Sequence, residues 1–523
     1  MLVDGIRVND LNDARGGGYD LSSVAVEDIE RIEVLRGAHS AVFGSDAMGG
    51  VINIVTKRGG DQTASVRLAA GGQGLRQEGG AVSNRWLAAT ANRLEDGTLA
   101  SGSRRVIESA TANLMLAESR LWSTRLGLRT LSRRSDAFPE ASGGVRLAQI
   151  RELKHRKVSE DNAQLDTDFV SDEHVRFNLK LSRLRKNEAI ASPGVAPSPG
   201  GAVPASDTNS RLTRDDAVLT GRVEGLPMTG VFAAGVEALR ESGDMQSRIP
   251  AFGPAPISFE LQRQTRSLFG ELRAEPGANW LTVLSLRRDA VSALDAVTSR
   301  SFGLRYRFEG TGSALRANWA EGFKPPSFFA LAHPLVGNPS FMPETNRSRE
   351  LGLDLAISGA VLRTTLFDNR YANLIDFDAE TFRLVNRDSV SARGAEFQAS
   401  FEPTSDINVE AATTWVRHRS SSGTPLRNRP MRRTTLTTQW RMGDSLDLHA
   451  SWLHIGSTQD FSVPTGEVTL GAHDPVDLAL SKHLNERFSL EIALDNLLGR
   501  RAESYIGFTQ PGRRARAAVR GTF

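Results

Sequence analysis

The residues able to do chemistry are few and scattered. Nine histidines and no cysteine occur among 523 residues, which excludes disulfide scaffolds, zinc-thiolate sites and catalytic thiols. There is no HExxH, GxSxG or Walker loop, and no paired-histidine cluster. An enzyme is not expected. Three groups remain. The stretch 161–173, DNAQLDTDFVSDE, gathers Asp161, Asp166, Asp168, Asp172 and Glu173. Such oxygen ligands could hold Ca²⁺ in a surface loop, but their irregular spacing favours a solvated acidic loop. Arg31, Glu33 and Arg36 are charges in an otherwise apolar stretch: either a solvated strand face or one half of a set of ion pairs. His333 stands alone in a short loop.

The elements that must position these groups are strands. With 64 basic and 61 acidic residues the net charge is +3, so nothing suggests nucleic acid as a partner. No window holds the roughly 18 apolar residues of a membrane-spanning helix, and the start lacks the regions of a signal peptide. Period-two alternation is everywhere instead. Val175, Phe177, Leu179 and Leu181 alternate with Arg176, Asn178 and Lys180; Leu351, Leu353 and Leu355 alternate with Glu350, Gly352 and Asp354. Phe302 to Phe308, Ile407 to Trp415, Leu446 to Trp452 and Phe488 to Leu494 repeat the pattern. One face of each strand is apolar and the other polar.

A soluble sandwich would alternate too. Two features favour a transmembrane barrel. Arg and Asp occupy mid-strand positions on the polar face, and the pattern runs from about residue 62 to the end without a second domain type. Lipid-facing strands need about 9–11 residues, apolar outside and polar towards a wet lumen. The 523 − 60 = 463 residues after Gly60, shared among roughly 22 strands, allow about 21 each with turn or loop. In the last strand Gly521, Val519, Ala517 and Ala515 form the outward phase, and Thr522, Arg520, Ala518, Arg516 and Arg514 the inward one, ending on Phe523. The aromatic content of 7% is low for a barrel ringed at both interfaces.

The first sixty residues carry a resemblance. LVDGIRVND and VEDIERIEVLRGAHSAVFGSDAMGGVINIVTK resemble the second half of the plug of TonB-dependent outer-membrane receptors, with Phe43 where that family usually has Tyr. Gly322-Phe323-Lys324-Pro325-Pro326, Gly337-Asn338-Pro339 and Pro343-Glu344-Thr345 resemble its barrel motifs, and Asp495-Asn496-Leu497-Leu498 through Phe523 its terminal strand pair. The implied fold is an all-β transmembrane barrel of about 22 antiparallel strands, with a partial α+β plug (residues 1–60) inside the lumen of the barrel (61–523). Gly37 and Gly44 fall where turns are wanted.

The resemblance implies a Gram-negative outer-membrane receptor, a monomer in lipid, that imports an iron-siderophore or cobalamin with energy from the TonB-ExbB-ExbD complex. Alternatives are a haem receptor of the same family or a passive porin-like channel. A porin, however, should lack the plug motif. A structural β-sandwich lectin would be soluble without detergent. The family latch pairs plug arginines with barrel glutamates, which casts Arg31 and Arg36 against Glu350 and Glu396, both inward by phase, with Glu33 beside them. His333 lies where the haem branch places a haem-binding histidine, and the acidic stretch is similar in kind to the calcium-binding extracellular loops of the cobalamin branch. Loops 189–210 and 418–428 are candidate ligand surfaces, while Arg427 and Arg429 beside Pro425 and Pro430 resemble the family's PLxxRP turn, a structural feature. The family plug is about twice as long and is preceded by a signal peptide and a TonB box, so this form alone is expected to be unexported, leaky and uncoupled.

Overall fold

The alternating segments become one continuous wall. The computed structural model describes all residues except 15, 98–102, 197–201, 379, 380, 382, 422, 424 and 425. Among the described residues, 22 antiparallel strands form a closed barrel, with each strand hydrogen-bonded to its neighbour in sequence. The wall closes where Arg514–Thr522 pairs with Thr63–Gly71, Val519 lying opposite Leu68. Closure leaves no strand edge exposed. No helix is long and apolar enough to cross a membrane; the strands do the crossing.

The outward phase exposes Leu68, Leu128, Leu181, Leu219, Leu268, Leu286, Leu351, Leu366 and Ile492. In water so broad an apolar band would be untenable, and in lipid it is required. The wall has one rim of short turns and one of longer connections. Aromatic residues concentrate at the short-turn rim. Phe169 meets Phe177 at 6.5 Å between ring centroids, Trp280 meets Tyr306 at 4.7 Å, and Phe488 meets the terminal Phe523 at 5.8 Å. The low aromatic content therefore serves chiefly one interface. Short turns and an aromatic ring mark this rim as periplasmic.

Two expectations need correction. Strands are longer than the membrane demands, reaching Arg383–Thr404. Residues 189–192 and 206–210 also belong to strands Val175–Ser192 and Ser206–Leu226, not to a loop. Likewise 418–420 end strand Ile407–Ser420, and Pro425 lies outside the described residues. Beyond the lipid band neither strand face need be apolar, so alternation disappears while pairing continues.

The first residues form a small separate sheet within the barrel. Strands β1 (Leu2–Val3), β2 (Ile6–Arg7), β3 (Ile29–Arg36) and β4 (Gly50–Thr56) lie in the order β2-β1-β4-β3. Asp4 and Gly5, with φ of 51° and 81°, make the tight turn that an Asp-Gly pair permits. The Asp4 carboxylate accepts from the Thr56 backbone N–H (2.8 Å) and hydroxyl (2.7 Å), tying the turn to the end of β4. The sheet's core is shared with the wall: Val3, Ile6, Val8, Leu11 and Ile54 pack with Leu184, Leu212, Met245, Phe259 and Phe328. Its apolar side chains are thus buried only while the segment sits in the lumen.

Candidate functional site

The plug–wall contact is where the charged lumen faces do their work. Inward phases of strands Ser206–Leu226, Gly230–Arg248, Ile257–Gly277 and Trp280–Val291 present Arg214, Asp216, Glu237, Glu241, Arg263, Arg287 and Asp289. The plug answers with Arg7. Its guanidinium donates to Glu237 and to Asp216 (3.2 Å), while Arg287 donates to the other oxygen of Glu237 and, through Nε, to Asp289 (2.8 Å). Burial opposes the Arg7 charge, but Glu237 and Asp216 outweigh that effect and hold its pKa above the ordinary range. Gly44, at φ 79°, leaves room for both arginines: a Cβ there would fall 2.5 Å from Arg7 Nη2 and 3.0 Å from Arg287 Nη2.

The network continues along the seam. Arg214 donates to Glu241 (2.8 Å) and to the Arg7 carbonyl (2.7 Å). Arg263 donates to Glu241 (2.7 Å) and to the Pro326 carbonyl (2.9 Å). Lys186 donates to Asp10, with both side chains buried. Further round the wall, Arg129 donates to Glu160 (2.8 Å) and to the Ser23 carbonyl (2.8 Å). Asp28 accepts from Asn92 (2.8 Å) and from Thr90. Burial pushes the Asp28 carboxyl up, only partly relieved by the Thr90, Thr111 and Asn92 donors and by Arg129. Sequence reasoning missed all of these residues. Each occupies an inward or plug position that looks like any other polar site, and only the docked geometry distinguishes them.

The residues expected to form the latch divide. Arg36 donates to Glu396 across the plug–wall gap. Glu350 accepts from Asn318 (3.4 Å) and lies 2.6 Å from where a Cβ on Gly37 would fall, but it bonds neither arginine. Arg31 does not reach the wall, contrary to expectation. It donates to Glu33 (2.8 Å) and Glu30 (3.0 Å), its own neighbours along β3. The reason is positional: β3 is the edge of the plug sheet, Arg31 lies far from the strand's wall-facing end, and Ile32, Val34 and Leu35 beside it are exposed.

The acidic stretch is likewise not a loop. Asp161, Asp166 and Asp168 belong to strand Lys154–Val170, and Asp172 to the short turn beyond it, at the periplasmic rim. Alternation sends Asp161 outward, where it accepts from Thr130 (2.8 Å), and Asp166 and Asp168 inward, where both accept from Asn178 (2.7 and 2.9 Å). Asp172 caps the turn by accepting from the His174 and Val175 N–H groups. Such divergence builds no oxygen cage, and no metal-holding group of three occurs among the described residues. His333 ends the short Phe328–Ala332 helix; its ring packs on Phe329 at 4.5 Å and its Nδ1 accepts from the Leu335 N–H (3.3 Å). Burial lowers its pKa, favouring the neutral ring.

Comparison with known proteins follows the same division into wall and plug. Residues 66–497 match the family model "TonB dependent receptor-like, beta-barrel", and residues 1–51 match "TonB-dependent Receptor Plug Domain". A vitamin B12 transporter, BtuB, of Vibrio cholerae is 24% identical over 97% of this chain and 81% of its own length. The siderophore receptor PirA from Acinetobacter baumannii superposes with a TM-score of 0.82 at 17% identity, covering 100% of this chain and 90% of that one. The copper transporter OprC gives 0.82 at 14% identity, with the same coverage. At these identities the solved structures establish the fold, and their differing cargoes show that the fold does not select one.

Proposed function

The chain belongs to the TonB-dependent receptors of the Gram-negative outer membrane, and from that premise we propose that it imports a bulky metal-containing nutrient of the corrinoid or ferric-siderophore class. The observation that carries the reading is a stopper held without covalent bonds inside a closed barrel. Residues 2–56 fill part of the lumen and are held there by ion pairs and a shared apolar core rather than by covalent bonds or a continuous sheet. A passive pore has no use for such a stopper. A gated one does, because exchange of ion-pair partners lets the plug shift and reseat.

Corrinoid is the first cargo to test, because similarity to the B12 transporter extends over nearly the whole chain. Energy would enter through the TonB-ExbB-ExbD complex acting on the plug from the periplasm. Recognition would fall to the longer loops at the opposite rim. The test is uptake rescue in a receptor-deficient strain supplied with cyanocobalamin, a panel of ferric siderophores, and haem, with and without TonB. TonB-dependent rescue by cyanocobalamin alone supports the corrinoid reading, and rescue by one siderophore moves the assignment to that class. TonB-independent rescue by every solute would overturn the proposal in favour of an open pore.

A further inference from the structure

We propose that the outer face of the barrel carries a binding site for a phosphorylated acyl lipid, across the strands from Lys154–Val170 to Trp280–Val291. Several side chains on this arc point the wrong way for a membrane wall. On this arc the outward phase carries Leu181, Ala217, Ala238 and Leu268, and one position further from the periplasmic rim it carries Arg183, Asp215, Arg240 and Arg266. Arg183 pairs across to Asp215 and Asp215 to Arg240, so these three form one rung. Arg266 lies between Ala238 and Ala290, and Arg288 follows on the next strand. All four arginines are exposed on the outward face.

Their height is the telling feature. Phe177 belongs to the aromatic rim, and Arg183 is the third outward residue beyond it. Six residues of strand span about 20 Å. Strand tilt shortens that further across the bilayer, whereas an apolar band is about 25 Å tall. The guanidiniums therefore emerge inside or at the very edge of the hydrocarbon layer, where a cation must find an anion. Arg183 has one, donating to Asp215 through Nη2 at 2.8 Å. Among the described residues, Arg240, which stands across from the same Asp215, donates only to Gln262 (3.4 Å), Arg288 donates only to Thr298 (3.3 Å), and Arg266 makes no hydrogen bond or ion pair. The wall is built differently at its closing strands. Outward residues of Phe488–Asp495 and Arg514–Thr522, including Leu490, Ile492, Leu494, Ala517 and Val519, carry no charge across the band.

The arginines overhang a depression in the wall. It is about 660 Å³, floored by Ala163, Ala217 and Ala238 among leucines, with Arg183, Asp215, Arg240 and Arg266 along one edge, so that three guanidiniums face one carboxylate. Its size falls in the ordinary range for ligand sites, roughly 300–1,000 Å³. A neighbouring depression continues the groove past Leu219, Val236 and Leu268, and ends between Arg266 and Arg288. An acyl chain fits the alanine-floored groove, and a phosphate at its head meets several planar guanidiniums, each able to donate two parallel hydrogen bonds. Lipid, not a free anion, is the source that satisfies both halves, and it is what this face meets.

The test is native mass spectrometry of the full chain in detergent, with dioleoyl phosphatidic acid, dioleoyl phosphatidylcholine or inorganic phosphate added. Phosphatidic acid should bind and survive excess inorganic phosphate, and phosphatidylcholine should not compete. Arg266→Gln should weaken binding about five-fold, and Arg240→Gln/Arg266→Gln/Arg288→Gln at least about twenty-fold. Arg93→Gln, an outward arginine already paired with Glu108, should leave it unchanged. If the triple variant fails to fold, as judged by loss of the compact heat-modifiable band, the single variant decides. Undiminished binding to Arg266→Gln, equal binding of phosphatidylcholine, or displacement by inorganic phosphate would each overturn the proposal.

Discussion

Two of the seams along which the plug meets the wall use the same chemistry to opposite effect. At the seam with strands Ser206–Leu226 to Trp280–Val291, Arg7, Glu237 and Arg287 are almost wholly buried, the Arg287 and Glu237 side chains being 2% and 4% exposed. At the seam under β3, Arg36 and Glu396 are 55% and 20% exposed. A carboxylate between two guanidiniums in a dry site cannot lose one partner without stranding a charge. A half-solvated pair can, because water replaces what is lost. One seam anchors and the other yields. Movement of the plug should begin at β3, whose outer residues already face open lumen.

The contrast is broken most severely at Glu237. Glu237→Ala leaves Arg7 and Arg287 buried and facing each other, and should destabilise the seated plug by about 3–5 kcal/mol. Urea-driven release, read as protease access to residues 1–56 in outer-membrane vesicles, would show it as a large fall in midpoint. Asp28 gives a smaller effect of opposite sign. Its folded-state pKa is raised above 3.8, so the seated form binds that proton more tightly than the released form. The charged carboxyl therefore weakens the seat as pH rises through the raised value, and the penalty is complete at neutral pH. Asp28→Asn should raise the release midpoint at pH 7, and the advantage should vanish as pH falls below the ordinary carboxylate range. The exposed seam gives the smallest change. Arg36→Glu or Glu396→Arg should cost no more than about 1 kcal/mol, fading in high salt, and Arg31→Ala should leave the release midpoint where it was. A loss at Arg36 matching that at Glu237 would erase the distinction between the seams.

The same asymmetry explains what could be read from the sequence. Alternation in the last strand, with Val519 and Ala517 outward and Arg516 and Arg514 inward, is visible because lipid on one side and water on the other impose it residue by residue. The plug strands are visible through the resemblance carried by Leu2 to Asp10 and by residues 26–57, with Gly37 and Gly44 where turns are wanted. Arg36 and Glu396 stand out as charges in apolar or alternating surroundings, and they do pair. Arg7, Glu237 and Arg287 carry no such signal. An inward Glu has the same phase whether it faces water or a docked guanidinium, and nothing local reports which strands lie across a lumen from residue 7. The acidic stretch misled for a related reason: composition suggests a cluster, but a strand sends alternate carboxylates to opposite faces.

The absence of cysteine makes the central claim directly measurable. A Cβ on Gly322 of the wall would lie 3.4 Å from the Ala38 Cβ of the plug, within the reach of a disulfide. Ala38→Cys with Gly322→Cys, oxidised in intact outer-membrane vesicles, should form one intramolecular bond, seen as a reducible mobility shift absent from either single variant. Failure to cross-link, or cross-linking only between molecules, would mean that the first sixty residues do not sit inside their own barrel.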